Sequence, residues 1–188
     1  MQKLTDGILL YHGSYCEVKK PEISKCASYK DFGKGFYLTT SKTQAEKFIK
    51  TALIKAKSQG IIKENQDYGV ISTYRFMGKD NVSQYLFEEA DAQWLHCVVG
   101  HRKINTFPEV VQKMEEYDII AGKIADDATN FTILAYLAGT YGTLGSKEAD
   151  SFCIGRLLPE RLKDQYCFRT ELALKSIQFV GSENVWKK

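Results

Sequence analysis

The sequence has no Cys-x-x-Cys pair, no apolar run long enough for a membrane span, no internal repeat or low-complexity tract, and no strong charge of one sign. Each absence excludes something. The five cysteines, Cys16, Cys26, Cys97, Cys153 and Cys167, are odd in number and scattered. That pattern supports neither a zinc site nor a disulfide framework, and it reads as free thiols of a reducing cytosol. A formal net charge of +3, with basic residues concentrated only at Lys19-Lys20 and from Lys42 to Lys63, is too mild to argue for nucleic-acid binding. The polar start, Met1 to Gly7, carries no signal-peptide apolar segment, so the expected location is the cytoplasm, away from membranes. With 188 residues and no linker, the chain is expected to form one domain, 1–188.

What is present begins with two short motifs. Leu9-Leu10-Tyr11 is an apolar run that stops at His12-Gly13-Ser14. It reads as a strand delivering an imidazole, a hydroxyl and a bare backbone to the rim of a cleft. The second motif, Asp31-Phe32-Gly33-Lys34-Gly35-Phe36-Tyr37-Leu38-Thr39-Thr40-Ser41, is a Gly-Lys-Gly turn feeding an aromatic strand that sets a Tyr ring beside the first motif. Taken alone, His12 reads as a hydrogen-bonded structural residue, Tyr37 as core or sheet surface, and Lys34 as a solvated turn residue.

Further along, apolar residues at helical spacing (Ala45, Phe48, Ile49, Ala52, Leu53, Ala56) predict a helix from Ser41, with Ser41 and Gln44 as a capping box. Strands are expected at Val70–Phe76, Ser83–Phe87 and Tyr117–Gly122, and a helix from Asp91 with Trp94 and Cys97 in the core. His96 and His101 are read as structural or exposed. Asp126 and Asp127 precede the periodicity of Phe131, Leu134, Ala135, Leu137 and Ala138, which places an acidic pair at a helix entrance, as caps or as one carboxylate facing a cleft. A helix over Ser146–Leu158 and a strand over Asp164–Phe168 lead to a terminal strand.

In this order the motifs resemble the NAD-binding core of the ADP-ribosyltransferase superfamily, in the branch of diphtheria toxin and the poly(ADP-ribose) polymerases. They look closer still to a bacterial family of uncharacterised ADP-ribosyltransferase-like domains. The resemblance implies an α+β fold in which two packed antiparallel sheets with peripheral helices form an NAD-binding cleft. It also implies site roles. His12 would bond the adenosine ribose, the Gly13 backbone would hold the nicotinamide amide, Tyr37 would stack on the nicotinamide ring, and Ser14 and Gly35 would line the same site. Ser41 is either a ligand of that amide or the helix N-cap. Gln165 falls where the family has its catalytic Glu.

An amide there can bond a ribose hydroxyl but carries no charge and is no general base at neutral pH. The departure argues against polymer elongation, and Asp126, with Glu171 second, is the candidate replacement carboxylate. The resemblance therefore implies a mono-ADP-ribosyltransferase that uses NAD as substrate, needs no metal, releases nicotinamide and modifies an unknown macromolecule, protein rather than nucleic acid. Rival readings are an NAD glycohydrolase, an inactive NAD- or ADP-ribose-binding module, and a toxin-like effector silenced by a small inhibitory partner protein.

Overall fold

A computed structural model describes residues 1–78, 81–125, 127–158 and 162–186, without the side chains of 127 and 128. In chain order the elements are β1 (Leu9–Ser14), β2 (Phe36–Leu38), α1 (Lys42–Ser58), β3 (Tyr68–Phe76), β4 (Gln84–Leu86), α2 (Ala92–Arg102), α3 (Pro108–Met114), β5 (Ile119–Lys123), α4 (Asp127–Leu137), α5 (Lys147–Leu157), β6 (Asp164–Phe168), α6 (Glu171–Leu174) and β7 (Ile177–Trp186). One sheet has the order β1-β3-β7 and the other β2-β6-β5-β4. The fold is mixed α and β with two sheets, compatible with the α+β expectation. One feature differs from two antiparallel sheets: β4 pairs parallel with β5, through Gln84↔Ile119 to Leu86↔Ala121. The parallel pair is possible because α2 and α3 lie between the two strands in sequence and supply the crossover.

Strand alternation sorts the side chains into layers. Leu10, Tyr74 and Phe76 of the first sheet meet Phe36, Leu38, Ile119, Ala121, Tyr166 and Phe168 of the second in one buried cluster. The space between the sheets is therefore filled by core. On the outer face of the first sheet, Ile49 and Leu53 of α1 pack on Ile71. On the outer face of the second, Trp94, Leu95 and Val98 of α2, Ile133 and Tyr136 of α4, and Cys153 of α5 cover Ile120 and Cys167. Trp94 and Cys97 are fully buried, as expected.

Of two helices with an expected inward face, α1 buries that face apart from Phe48, and α4 turns differently. In α1 the buried residues are Ala45, Ile49, Leu53 and Ala56, while Phe48 is exposed. In α4 the buried side chains include Ile133 and Tyr136, whereas Phe131 is 80% exposed and Leu134 is exposed too. Apolar residues surround α4, so periodicity alone could not choose its inward face. No helix among the described residues is long and apolar enough to cross a membrane. All five cysteines are free, three of them buried (Cys97, Cys153, Cys167) and Cys16 exposed.

Candidate functional site

The two predicted motifs meet where the edges of the sheets meet. Tyr11 N–H donates to the Thr39 carbonyl at 2.8 Å, and Thr39 N–H donates back to Tyr11 at 3.1 Å. This isolated antiparallel bridge joins the end of β2 to β1. In an antiparallel strand the peptide groups that face one side recur every second residue. Since those of Tyr11 face β2, those of Gly13 face the same way, past the bridge. Tyr37, two residues before Thr39, likewise turns its peptide toward β1. Its carbonyl accepts a hydrogen bond from His12 Nδ1 at 2.9 Å. The seam at Gly13 and Tyr37 thus brings together backbone N–H and C=O groups, an imidazole and the Tyr37 residue.

His12-Gly13-Ser14 are the last three residues of β1. The half-buried His12 ring lies 4.5 Å from that of Phe36, tilted by 37°. A carbonyl only accepts, so Nδ1 carries the proton and Nε2 offers a lone pair. Burial lowers the imidazole pKa below its ordinary value, and the bond to Tyr37 opposes that only in part. His12 is consequently a neutral acceptor.

Gly13 has a packing reason of its own. A Cβ there would sit 2.1 Å from the Ala45 carbonyl oxygen and 3.3 Å from Ile49 Cγ1, so only glycine lets α1 lie this close to β1. Ser14 is buried. At Gly35 a Cβ would meet Cys167 Sγ at 2.5 Å and the Phe168 carbonyl at 2.8 Å, so this glycine seats the start of β2 on β6.

The Tyr37 hydroxyl donates to the Gly33 carbonyl at 2.8 Å and accepts from Phe32 N–H at 2.9 Å. Burial, then Cys167 and Asp31 nearby, hold it well above its ordinary pKa, so it is a neutral phenol and no base. Its hydroxyl is spent on the turn, and the ring is what the half-buried residue has to offer. Ser41 is the exposed N-cap of α1, accepting from Gln44 N–H at 3.3 Å. The reciprocal half of the capping box is replaced: Ser41 N–H donates to Thr39 Oγ1, while Gln44 Nε2 donates to the Asp164 carbonyl.

Gln165 lies on β6, two residues from Cys167, the register partner of Tyr37. Residues two apart share a strand face, so Tyr37 and Gln165 face the same side, at the ordinary diagonal spacing of roughly 7–8 Å. Gln165 is 5% exposed, and its Nε2 donates to Asp31 Oδ2 at 2.6 Å. Asp31 also accepts Arg102 Nε at 2.9 Å and Nη2 at 2.6 Å on Oδ1, and Ala125 N–H at 2.9 Å on Oδ2. Arg102 further donates to the Ala125 carbonyl and to Asn130.

The predicted site residues therefore fall into two linked groups. His12, Gly13 and Tyr37 converge at the seam, and Gln165 stands on the neighbouring strand. They are neighbours along adjoining strands, and the bond from His12 reaches the Tyr37 backbone, not its side chain. Asp126 lies outside the described residues. Glu171 is an exposed charge in the first turn of α6. Lys34 is exposed. The sequence reading missed Asp31 and Arg102 as a buried ion pair. Asp31 stands at the head of the glycine-rich motif, which was the one available signal, but nothing in the chain announces partners 71 and 134 residues away.

His96 and His101 are structural, as expected: His96 Nε2 bonds Asp150 at 2.8 Å, and His101 Nδ1 bonds the Cys97 carbonyl at 2.9 Å. Two surface concavities lie elsewhere. One of about 560 Å³ lies between α4 and α5, lined by Phe131, Tyr141, Phe152 and Arg156. The other, of about 280 Å³, runs from Tyr85 to Gln93. Neither includes His12, Tyr37 or Gln165; the candidate site is a strand seam. Among the described residues no cluster of His, Cys, Asp and Glu could hold a metal ion.

The sequence model of a protein family described as "Protein of unknown function (DUF3990)" matches residues 8–179, and the chain belongs to that family. No curated protein matches the chain.

Proposed function

We propose, starting from membership of the DUF3990 family, that the chain binds NAD at the β1–β2 seam and transfers its ADP-ribose to a macromolecular acceptor. The observation that carries this reading is the meeting of the Gly13 edge, His12 and Tyr37 at one seam, with Gln165 on the adjoining strand. A carboxamide has the same donor and acceptor pair as a peptide, so nicotinamide can lie against the Gly13 backbone as a further strand would. The neutral His12 has Nε2 to accept from a ribose hydroxyl. The Tyr37 ring, fixed through its hydroxyl, supplies a rigid flat surface.

In the proposed reaction the bond between ribose C1′ and the nicotinamide nitrogen breaks, and its electron pair leaves on nicotinamide. The ribose ring carries positive charge in the transition state, as in glycoside hydrolysis. The acceptor nucleophile then bonds C1′ and gives its proton to water or to a base of its own. Gln165 contributes a contact to a ribose hydroxyl but no base, which fits a single transfer and not chain elongation.

The test is nicotinamide release from NAD by the purified protein, alone and with cell lysate, beside His12→Ala. The expected result is release that requires lysate and falls about 100-fold in the variant, a loss of about 2.7 kcal/mol of transition-state stabilisation. Release without lysate would indicate hydrolysis or self-modification. A second reading, an NAD-binding module without turnover, is favoured by the amide at 165, and it predicts saturable NAD binding with no release. Growth arrest of expressing cells, relieved by His12→Ala, would mark a toxin-like effector.

A further inference from the structure

We infer that Asp31 dictates the glutamine at position 165. It is a positioning residue whose buried carboxylate draws Nε2 of Gln165 inward and turns Oε1, an acceptor, toward the ligand. The identity of that ligand, a hydroxyl donor such as the ribose of NAD, rests on the function proposed above.

The carboxylate of Asp31 is 6% exposed and accepts four hydrogen bonds, two on each oxygen. They come from β6 (Gln165), the last turn of α2 (Arg102, twice) and the segment after β5 (Ala125). A carboxylate can only accept, so the amide it faces must point its nitrogen at Oδ2 and its oxygen away. The distance of 2.6 Å is short for N–H···O, as expected where one partner is ionised.

The same geometry explains why the position does not hold a glutamate. A carboxylate at 165 would face the Asp31 carboxylate at hydrogen-bond distance, and two such groups cannot both ionise. One would have to keep a proton near neutral pH. Arg102 is already committed to Oδ1, and Arg169, just past the end of β6, donates to the Met114 carbonyl. Lys123, on the adjoining strand β5, is paired with Asp164 at 2.8 Å. The amide is thus the form of this side chain that the buried Asp31 permits. The negative charge of the region has its place one hydrogen bond behind the residue that meets the ligand.

The test compares wild type, Asp31→Asn, Gln165→Glu and the double variant Asp31→Asn/Gln165→Glu, by thermal melting from pH 5 to 8 and by nicotinamide release. In Gln165→Glu the new acid is held protonated in the fold above its unfolded pKa of about 4.3. Its melting temperature therefore falls steeply as pH rises from 5 to 8. The double variant again holds a single carboxylate in the pair, with no second one facing it, and its pH dependence returns toward that of wild type. Asp31→Asn alone lowers kcat for release about tenfold with KM little changed, the mark of a contact made better in the transition state.

A Gln165→Glu protein no more sensitive to pH than wild type, or a double variant as sensitive as the single one, overturns the coupling. Unchanged release in Asp31→Asn, with the melting coupling present, makes the pair purely structural and overturns the positioning role. If wild type neither binds NAD nor releases nicotinamide, the proposed function fails. The melting comparison still decides whether Asp31 excludes a carboxylate from position 165.

Discussion

Asp31 and Asp150 are both buried carboxylates, 6% and 5% exposed, yet they serve different parts of the molecule. Asp150 sits in the helical layer. It accepts from His96 Nε2 at 2.8 Å and from the Tyr136 hydroxyl, which itself accepts Gly145 N–H at 3.1 Å. Its partners tie α2 to α4 and α5, and the His96 ring stacks on Phe107 at 3.9 Å. Burial, and then the bond to Asp150, raise the Tyr136 pKa, so its phenol stays a donor. Asp31 instead joins β6, the last turn of α2 and the segment after β5. Its charge partner is an arginine, which is charged at every working pH, and one of its donors is the side chain at the candidate site. The contrast teaches that burial and pairing alone do not mark a functional carboxylate. What sets Asp31 apart is that one of its donors, Gln165, stands on the strand paired with β2, where the proposed site lies.

The comparison can be broken most sharply through the charge partners. Arg102→Met leaves Asp31 buried without a cation and is expected to cost about 3–5 kcal/mol, read by urea unfolding. A loss under 1 kcal/mol would mean that Asp31 reaches water or takes a proton easily. Asp150→Asn keeps an oxygen for Tyr136 and leaves no buried charge, so a smaller loss of about 1–2 kcal/mol is expected. Nicotinamide release by that variant should equal that of wild type at a temperature where both are folded. A selective loss of release in Asp150→Asn would erase the distinction between the two regions.

The smallest effect concerns pH. His12 and His101 both have pKa values lowered from the ordinary 6.5, chiefly by burial. The folded protein holds them neutral while the unfolded chain protonates them. Their contribution is therefore present above about pH 6.5 and is lost as pH falls below it, by at most about 1.4 kcal/mol per pH unit for each group. His12→Gln should flatten part of that acid loss between pH 6.5 and 5. An unchanged acid profile would show that His12 is solvated in the folded protein.

Local signals carried much of the reading. The cap at Ser41 forms because a hydroxyl two bonds from the chain reaches the N–H of Gln44 whatever lies around it. β3, α2 and β6 lie where their composition and capping residues put them. The half-strength capping box, the exposed face of α4 and the parallel β4–β5 pair were not legible, because each depends on neighbours far along the chain. Gly13 shows both kinds of information at once. Its presence flags a close approach, but only the fold reveals that the Ala45 carbonyl of α1 makes that approach.

The sequence by itself determined that His12-Gly13-Ser14 and the Gly-Lys-Gly-Phe-Tyr strand would form, since short-range sterics and hydrogen bonding suffice for a strand and a glycine turn. Only the tertiary structure decided that they share one seam. It also decided that the residue behind Gln165 is Asp31, because a buried carboxylate takes its partners from whichever segments the packing brings within about 3 Å, and separation along the chain has no bearing on that choice.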